Sequence, residues 1–252
     1  MKKKLVLIIG IAILIILIAS VALFLYLKKG KNVEEEKIEE PIDVERLEEE
    51  FKELFDNQGN DFVSTLYKIE DEKSGKYKIN VNLPFIHIEE IIDEKINREI
   101  NDIFVNKLLE IINESQKYTI LDMDYCSNVN NNKLSLAIRC VLKEGANAQR
   151  TIIKTYNYDI ENKKEISITD VIPEGKIEKL QNEINEIIKK EIKKEKAIAE
   201  QGYNVYRRDA ESDIYKLENV TDFYIKDNIL YIIYCYGNNS YTSEIDLIIT
   251  QI

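Results

Sequence analysis

Residues 88–112 read IEEIIDEKINREINDIFVNKLLEII, and this stretch decides much of the fold. Apolar residues recur in it at spacings of three and four, which places them on one side of an α-helix. A second stretch, 177–198, repeats the same spacing. Before the first helix, residues 76–83 alternate polar and apolar side chains as a strand does, and Pro84 is expected to close that strand. These patterns predict two long amphipathic helices that pack against sheets.

The rest of the folded region consists of strand-like segments separated by asparagine-rich turns. The segments are 118–128, 133–143, 150–160, 165–168, 222–226, 229–236 and 241–250. The order of elements is strand, helix, strands, helix, strands. That order favours an α+β fold in which antiparallel sheets carry helices on one face, over a parallel βαβ arrangement. It also suggests two related halves.

The N-terminal segment predicts a membrane anchor. Residues 5–27, LVLIIGIAILIILIASVALFLYL, contain no charge and are flanked by lysines on both sides. As a helix this run extends roughly 34 Å, enough to cross the hydrocarbon core of a bilayer. A cleaved signal peptide is the alternative, but its apolar region is normally shorter and ends at a small-residue site. We therefore predict an N-terminal transmembrane helix that is retained as a signal anchor. The lysine counts on its two sides are nearly balanced and leave its orientation open.

The sequence divides into four parts by composition and pattern. Residues 1–29 form the transmembrane anchor, and 30–59 form an acidic stalk and a short helix. Residues 60–172 are predicted as an N-terminal α+β half, and 173–252 as a C-terminal α+β half.

Net charge excludes one class of partner. The formal net charge is −11 at pH 7. An acidic surface repels the phosphate backbone, so nucleic-acid binding is not expected. A cationic protein partner suits this charge better.

Chemical motifs are scarce. The sequence has no glycine-rich phosphate loop and no nucleophile elbow. Its single histidine, His87, cannot supply a histidine-based metal centre, and neither a metal nor a cofactor is predicted. Asp122 and Asp124 lie two apart on one strand, so their carboxylates share a face about 7 Å apart. That separation overlaps the range of inverting glycosidases, although solvated strand faces commonly carry such pairs.

Three cysteines cannot all pair within one chain. Cys140 falls on the apolar alternation of its strand, whereas Cys126 falls on the opposite parity of the preceding strand. A bridge between these two is therefore not expected. We predict that all three cysteines, including Cys235, are buried thiols without a disulfide.

Residues 156–171, YNYDIENKKEISITDV, resemble a stretch of the extracytoplasmic domain shared by RsiV-type anti-sigma factors and PdaC-type peptidoglycan deacetylases. The resemblance continues through 177–198 into 223–234, and upstream it includes 76–83 and 88–112. It covers roughly residues 60–252. The resemblance implies an envelope-facing domain of the kind that binds lysozyme in RsiV-type proteins. It does not imply catalysis, because the chemistry of PdaC-type proteins lies in a separate domain.

This sequence departs from that family at two places. Members often carry Gly-Gly-Ala-His before the third strand, and here the corresponding residues are Glu144, Gly145, Ala146 and Asn147. The loop between the last two strands is reduced to residues 237–241. We expect neither the sigma-factor binding nor the deacetylase activity of the two family branches.

From these observations we expect a single-pass cell-membrane protein whose C-terminal body is extracytoplasmic. The body is expected to bind an envelope ligand, either a cell-wall glycan or a basic protein such as lysozyme, without catalysis. A carboxylate-dependent glycan hydrolase and a structural subunit of a membrane complex are the alternatives. The candidate ligand-binding residues are Glu144, Gly145, Asn147, Tyr236 and Tyr241.

Overall fold

The computed structural model describes residues 51–55, 59–203, 207–236 and 244–252. The predicted anchor and most of the predicted stalk lie outside these ranges. Within them, no helix is long and apolar enough to cross a membrane. The described residues form a mixed α+β structure with two sheets, which are mostly antiparallel.

The larger sheet has six strands in the order β1-β2-β3-β4-β5-β6. The strands are β1 (Val63–Lys73), β2 (Tyr77–Ile86), β3 (Thr119–Asn130), β4 (Lys133–Glu144), β5 (Arg150–Asp159) and β6 (Lys164–Glu165). The predicted hairpin of β3 and β4 is confirmed, and Asn131 and Asn132 both have the positive φ that its tight turn requires. The strand predicted at 165–168 is much shorter than expected, because the chain turns into a 3-10 helix at Ile168–Asp170.

One strand pair departs from the antiparallel arrangement that the order of elements favours. β2 and β3 are parallel neighbours, and the long helix connects them. A chain can join two parallel neighbours only through a crossover, which the helix supplies. The other described strand pairs are antiparallel. The expectation of antiparallel sheets is therefore confirmed at every described pair except this one.

Pro84 does not end β2 as predicted, because the strand continues to Ile86. The register between β1 and β2 shifts between Thr65 and Tyr67, directly beside Pro84. A bulge leaves backbone groups unpaired, so a proline that lacks an N–H can be accommodated there.

The first long helix is α1 (Glu90–Ile100), which continues through a π-helical turn at Asn101–Val105 into α2 (Asn106–Glu114). Its apolar stripe is buried as the sequence predicts. Ile96, Ile100, Phe104, Leu108 and Ile111 pack in one core with β2 to β5. The two cysteines Cys126 and Cys140 are also buried, opposite Ala137 and Met123 respectively, and they are not paired with each other. The side chain of Cys235 lies outside the described residues.

The smaller sheet contains β7 (Phe223–Lys226), β8 (Ile229–Tyr236) and β9 (Glu244–Gln251). The second long helix, α3 (Ile177–Ala199), packs on it through Leu180, Ile184 and Ile188 and forms a second core. The position of α3 agrees closely with its predicted range.

A row of buried polar side chains joins the two sheets. Backbone groups on the outer edge of β7 bond to side chains of the large sheet instead of another strand. Phe223 N donates to Thr155 Oγ1 (3.0 Å), and Asn157 Nδ2 donates to Phe223 O (2.8 Å). Ile225 N donates to Ser135 Oγ, 2.9 Å away. We call Ser135, Thr155 and Asn157 the polar ladder; it satisfies an edge that would otherwise be buried without partners.

Candidate functional site

The turn proposed as a ligand site, Glu144 to Asn147, lies at the surface between β4 and β5. Gly145 adopts φ +54° and donates its N–H to Tyr118 O at 2.8 Å. Asn147 N donates to Glu144 O at 3.0 Å, and the Glu144 carboxylate pairs with Arg150. These contacts close the turn and tie it to the residue just before β3. Gly145 and Asn147 are exposed, and the role of the turn as a ligand site stays a prediction.

The two tyrosines proposed for the same site cannot be placed beside it. Tyr236 ends β8 and pairs through its backbone with Glu244, but its side chain is outside the described part of the chain. Tyr241 lies wholly outside the described residues.

The two aspartates considered for catalysis do share a face of β3, but each has a partner. Asp122 accepts a hydrogen bond from Asn80 Nδ2 at 2.7 Å. Asp124 is bound by Arg139 through two hydrogen bonds of 3.2 and 2.7 Å. Burial raises the pKa of Asp124, although the Arg139 guanidinium opposes that rise. Arg139 also lies 4.4 Å from the centre of the Phe55 ring, so this pair fastens the segment before β1 to the sheet.

His87 lies in the turn between β2 and α1. An open pocket of about 710 Å³ surrounds it, and its lining includes Phe85 and Arg98. Two other lining residues serve the backbone: Asp93 accepts from the N–H of Ile88 at 2.6 Å, and Asn97 bonds both backbone groups of Ile86. In the described part of the chain, no three His, Cys, Asp or Glu side chains are arranged to hold a metal ion.

A second concavity, of about 700 Å³, runs between α3 and the segment 210–218. We call it the acidic groove. One wall is the start of α3 and the residues just before it, and the other wall is the segment 210–218. Its lining residues are Thr169, Glu174, Ile177, Glu178, Gln181, Asn182, Asn185, Ala210, Glu211, Ser212, Tyr215, Lys216, Leu217 and Glu218. The groove is more enclosed than the pocket around His87 and has a more varied set of polar groups.

Gln181 clamps the two walls together. Its Nε2 donates to Tyr215 O at 2.9 Å, and its Oε1 accepts from Leu217 N at the same distance. Tyr215 is buried and packs edge-on against Tyr234, with ring centroids 5.2 Å apart. One amide side chain and an aromatic pair therefore fix Tyr215 and Leu217, which form the floor of the groove.

A buried ionic triad holds the other end of the same wall. The guanidinium of Arg208 donates to both oxygens of Asp246 at 2.7 Å, and it donates to Glu195 at 3.1 Å. The backbone N–H of Arg208 also donates to Glu195, at 2.9 Å. All three side chains are about nine-tenths buried. The triad thus ties the chain just before 210–218 to the end of α3 and to β9.

The groove is chemically suited to a cationic, hydrogen-bonding ligand. Glu174, Glu178, Glu211 and Glu218 are exposed carboxylates on its two walls. The one lining cation, Lys216, pairs with Asp213 at 2.6 Å. Asn182 and Asn185 add amide donors and acceptors beside the apolar side chains of Ile177 and Leu217. An ammonium or guanidinium group could meet several carboxylates here while its hydrocarbon stem covers the floor.

The sequence interpretation missed this site. A partial signal exists, because Glu178, Gln181, Asn182 and Asn185 fall on one side of a helix and form a carboxylate and amide stripe. Such a stripe is usual on a solvated helix face. The opposite wall lies about thirty residues later and shows weak periodicity, so nothing in the sequence joins the two.

No protein-family model matches this chain, and no curated protein matches it. Among solved structures, a DUF3298 family protein from Pseudomonas aeruginosa PAO1 is similar, with 14% identity and a TM-score of 0.40 over 69% of this chain and 81% of that one. A member of the DUF3298 family from Bacteroides fragilis has 11% identity and a TM-score of 0.36, over 69% and 83% of the two chains. DUF3298 denotes a domain of unknown function. Similarity at this level says nothing about ligand or activity.

Proposed function

We propose that this protein is a membrane-anchored, extracytoplasmic binding domain that holds a cationic envelope ligand in its acidic groove without catalysing a reaction. A basic protein such as lysozyme is the ligand class that this charge favours. The anchor in this proposal rests on the apolar run at 5–27, which lies outside the described residues. The resemblance to RsiV-type and PdaC-type domains supports the extracytoplasmic orientation.

The observation that carries the proposal is the composition of the groove. Four exposed glutamates line a concave surface of about 700 Å³, and the whole chain has a net charge of −11. Complementary charge accelerates encounter with a basic protein and orients it on arrival. Exposed charges are screened within about 8–10 Å at physiological salt, so binding should weaken as salt rises.

The hydrogen-bond partners of Asp122 and Asp124 support a proposal without catalysis. Asp124 is engaged by Arg139 in a bidentate pair, and Asp122 is bonded to Asn80. A general acid must be able to deliver its proton to a substrate, and a general base must be able to accept one. Asp124 lacks that freedom while Arg139 holds both of its oxygens, so the two aspartates do not form an available acid and base pair.

Titration calorimetry of the full chain in a mild detergent tests the proposal, with lysozyme as the first titrant and solubilised peptidoglycan fragments as the second. We expect saturable, salt-sensitive binding of lysozyme and no release of sugar from the fragments. The double variant Glu211→Lys/Glu218→Lys reverses two groove charges on the same wall. Because each exposed ion pair contributes about 0.2–1 kcal/mol and becomes a repulsion of similar size, affinity should fall about tenfold.

A matched control reverses two exposed helical charges away from the groove, Glu110→Lys/Glu114→Lys, and changes the net charge by the same amount. If this control weakens lysozyme binding as much as the groove variant does, the groove is not the site. If only the peptidoglycan fragments bind, the ligand is a cell-wall glycan and not a basic protein. Silence with both titrants would reject the proposal.

A further inference from the structure

The first strand of the large sheet has an open edge. β1 pairs with β2 from Val63 to Lys73, and no described strand pairs with its other side. Every residue from Ser64 to Lys73 except Ile69 is exposed. Two of the exposed side chains are large and apolar, since Leu66 is 51% and Tyr67 is 37% accessible. Beyond Val63, whose backbone N–H and C=O bond to Asn60, alternate residues of the strand therefore direct backbone groups that no described strand pairs toward its open side.

Sheet edges of this length are commonly protected by charges and bulges, which discourage pairing with other chains. β1 has both, including the register shift between Thr65 and Tyr67. Its charges, however, are not of one sign. Lys68 and Glu70 alternate on one face of the strand, and this alternation opposes some registers of self-pairing and favours another.

We propose that β1 pairs antiparallel with β1 of a second copy of this chain, about a two-fold axis through Ile69. In this register Lys68 of each copy lies directly opposite Glu70 of the other. Ile69 faces its own symmetry mate, and Tyr67 lies opposite Asp71. The two six-stranded sheets become one continuous sheet, and both copies keep their long helices on the same face.

The neighbouring two-fold registers are less favourable. A two-fold axis centred at Lys68 places the two lysines opposite each other. An axis centred at Glu70 or at Asp71 likewise places two acidic side chains opposite each other. A centre at Tyr67 brings no opposite charges together. Directly opposed unlike charges stabilise antiparallel pairs, whereas like charges destabilise them. Among these five centres, Ile69 alone gives unlike pairs without a like pair.

Backbone hydrogen bonds would supply most of the association, as in other cases where a strand is added to a sheet edge. Leu66 and Tyr67 would lose exposed apolar surface at the same time. The occupant is a second copy, because the charge pattern of β1 is complementary to itself in this register. The inference concerns β1 alone and does not depend on the acidic groove.

Charge reversal tests the register directly. The full chain in detergent is examined by sedimentation equilibrium, and the unmodified chain should show a reversible dimer. Lys68→Glu alone and Glu70→Lys alone each create two repulsive pairs by symmetry. Each should weaken dimerisation about tenfold or more. The double variant Lys68→Glu/Glu70→Lys restores both unlike pairs, so its association constant should return to within about threefold of the original.

Matched controls make the same charge changes on the exposed side of α3. These are Lys190→Glu and Glu183→Lys, and both should leave dimerisation unchanged. A chain that is monomeric at all concentrations overturns the proposal. So does a dimer that the single reversals leave intact, since another surface, such as the anchor, would then hold it. Failure of the double variant to recover rejects the register.

A disulfide experiment tests the centre of the two-fold. Ile69→Cys places two thiols directly opposite each other, within the Cα separation of about 4.4–6.8 Å that a disulfide needs. Lys68→Cys displaces the two thiols by two residues along the strands, beyond about 7 Å. Under mild oxidation the first variant should form a cross-linked dimer and the second should not. Equal cross-linking of both, or of neither, contradicts the proposed pairing.

Discussion

The polar ladder between the two sheets allows a quantitative test of how the fold is held. Asn157 is 8% exposed, and its Nδ2 donates to Phe223 O at 2.8 Å. Its Oδ1 accepts from Ser135 Oγ at 2.6 Å, and the same hydroxyl oxygen accepts from Ile225 N at 2.9 Å. The substitution Asn157→Leu keeps the side-chain volume roughly constant but removes both hydrogen bonds that the side-chain amide makes.

The expected cost follows from the groups that lose their partners. In Asn157→Leu these are Phe223 O and the Ser135 hydroxyl hydrogen. A buried polar group left without a partner costs about 1–3 kcal/mol, so unfolding free energy should fall by about 2–6 kcal/mol. That is a large part of the total stability of a domain, which is about 5–15 kcal/mol. The three-stranded sheet should open first, because the ladder is what satisfies the edge of β7.

A double-mutant cycle separates the ladder from a general loss of packing. Ser135→Ala leaves Ile225 N and Asn157 Oδ1 without partners, again two groups. In the double variant only Phe223 O and Ile225 N lack a partner. The Ser135 hydroxyl and Asn157 Oδ1, which bond to each other in the original protein, are both removed. The double variant should therefore cost about as much as either single variant, and clearly less than their sum.

The assay is urea unfolding of the full chain in detergent, followed by the circular dichroism of its tyrosines. Hydrogen exchange of a peptide that contains residues 222–226 gives a local readout. Asn113→Leu, at an exposed position of α2, is the matched control and should change stability by less than about 0.5 kcal/mol. A loss below about 1 kcal/mol for Asn157→Leu, or additive costs in the cycle, would refute the ladder as a stabilising element.

Two further predictions concern charged groups. Arg208→Met leaves the buried carboxylates of Glu195 and Asp246 without their cationic partner, so unfolding free energy at pH 7 should fall by about 3–5 kcal/mol. Thermal unfolding measures this, and a loss below about 1 kcal/mol would contradict the reasoning. Hydrogen bonds from the side chain and backbone of Ser167 hold the pKa of Asp170 below its usual range. The stabilisation from these hydrogen bonds is present above the ordinary aspartate pKa and is lost as pH falls through the depressed pKa of the folded state. Ser167→Ala should therefore flatten the dependence of the unfolding free energy on pH below about pH 4. An unchanged slope would argue against these hydrogen bonds as the cause of the lowered pKa.

Local pattern determined much of the secondary structure. The three-and-four spacing of apolar residues located α3 and the continuous helix of α1 and α2, because only one face of each helix can be buried. Asn131 and Asn132 located the β3–β4 turn, since they tolerate positive φ better than most residues do. The opposite parity of Cys126 and Cys140 followed from the two-residue period of a strand.

Tertiary structure decided what the pattern could not express. β1 was missed because an edge strand exposed along its length has no apolar alternation to report. The parallel pairing of β2 and β3, and the continuation of β2 through Pro84, depend on neighbours rather than on the strand itself.

The candidate site shows the same division between sequence and structure. One wall of the acidic groove was visible as a polar stripe on α3, but the other wall is positioned by Gln181 and by the triad of Arg208, Glu195 and Asp246. The spacing of apolar residues in a sequence indicates which side of a helix or strand is buried. It does not state which distant segment covers that side or which charges then meet, because those contacts join residues that are far apart in the chain.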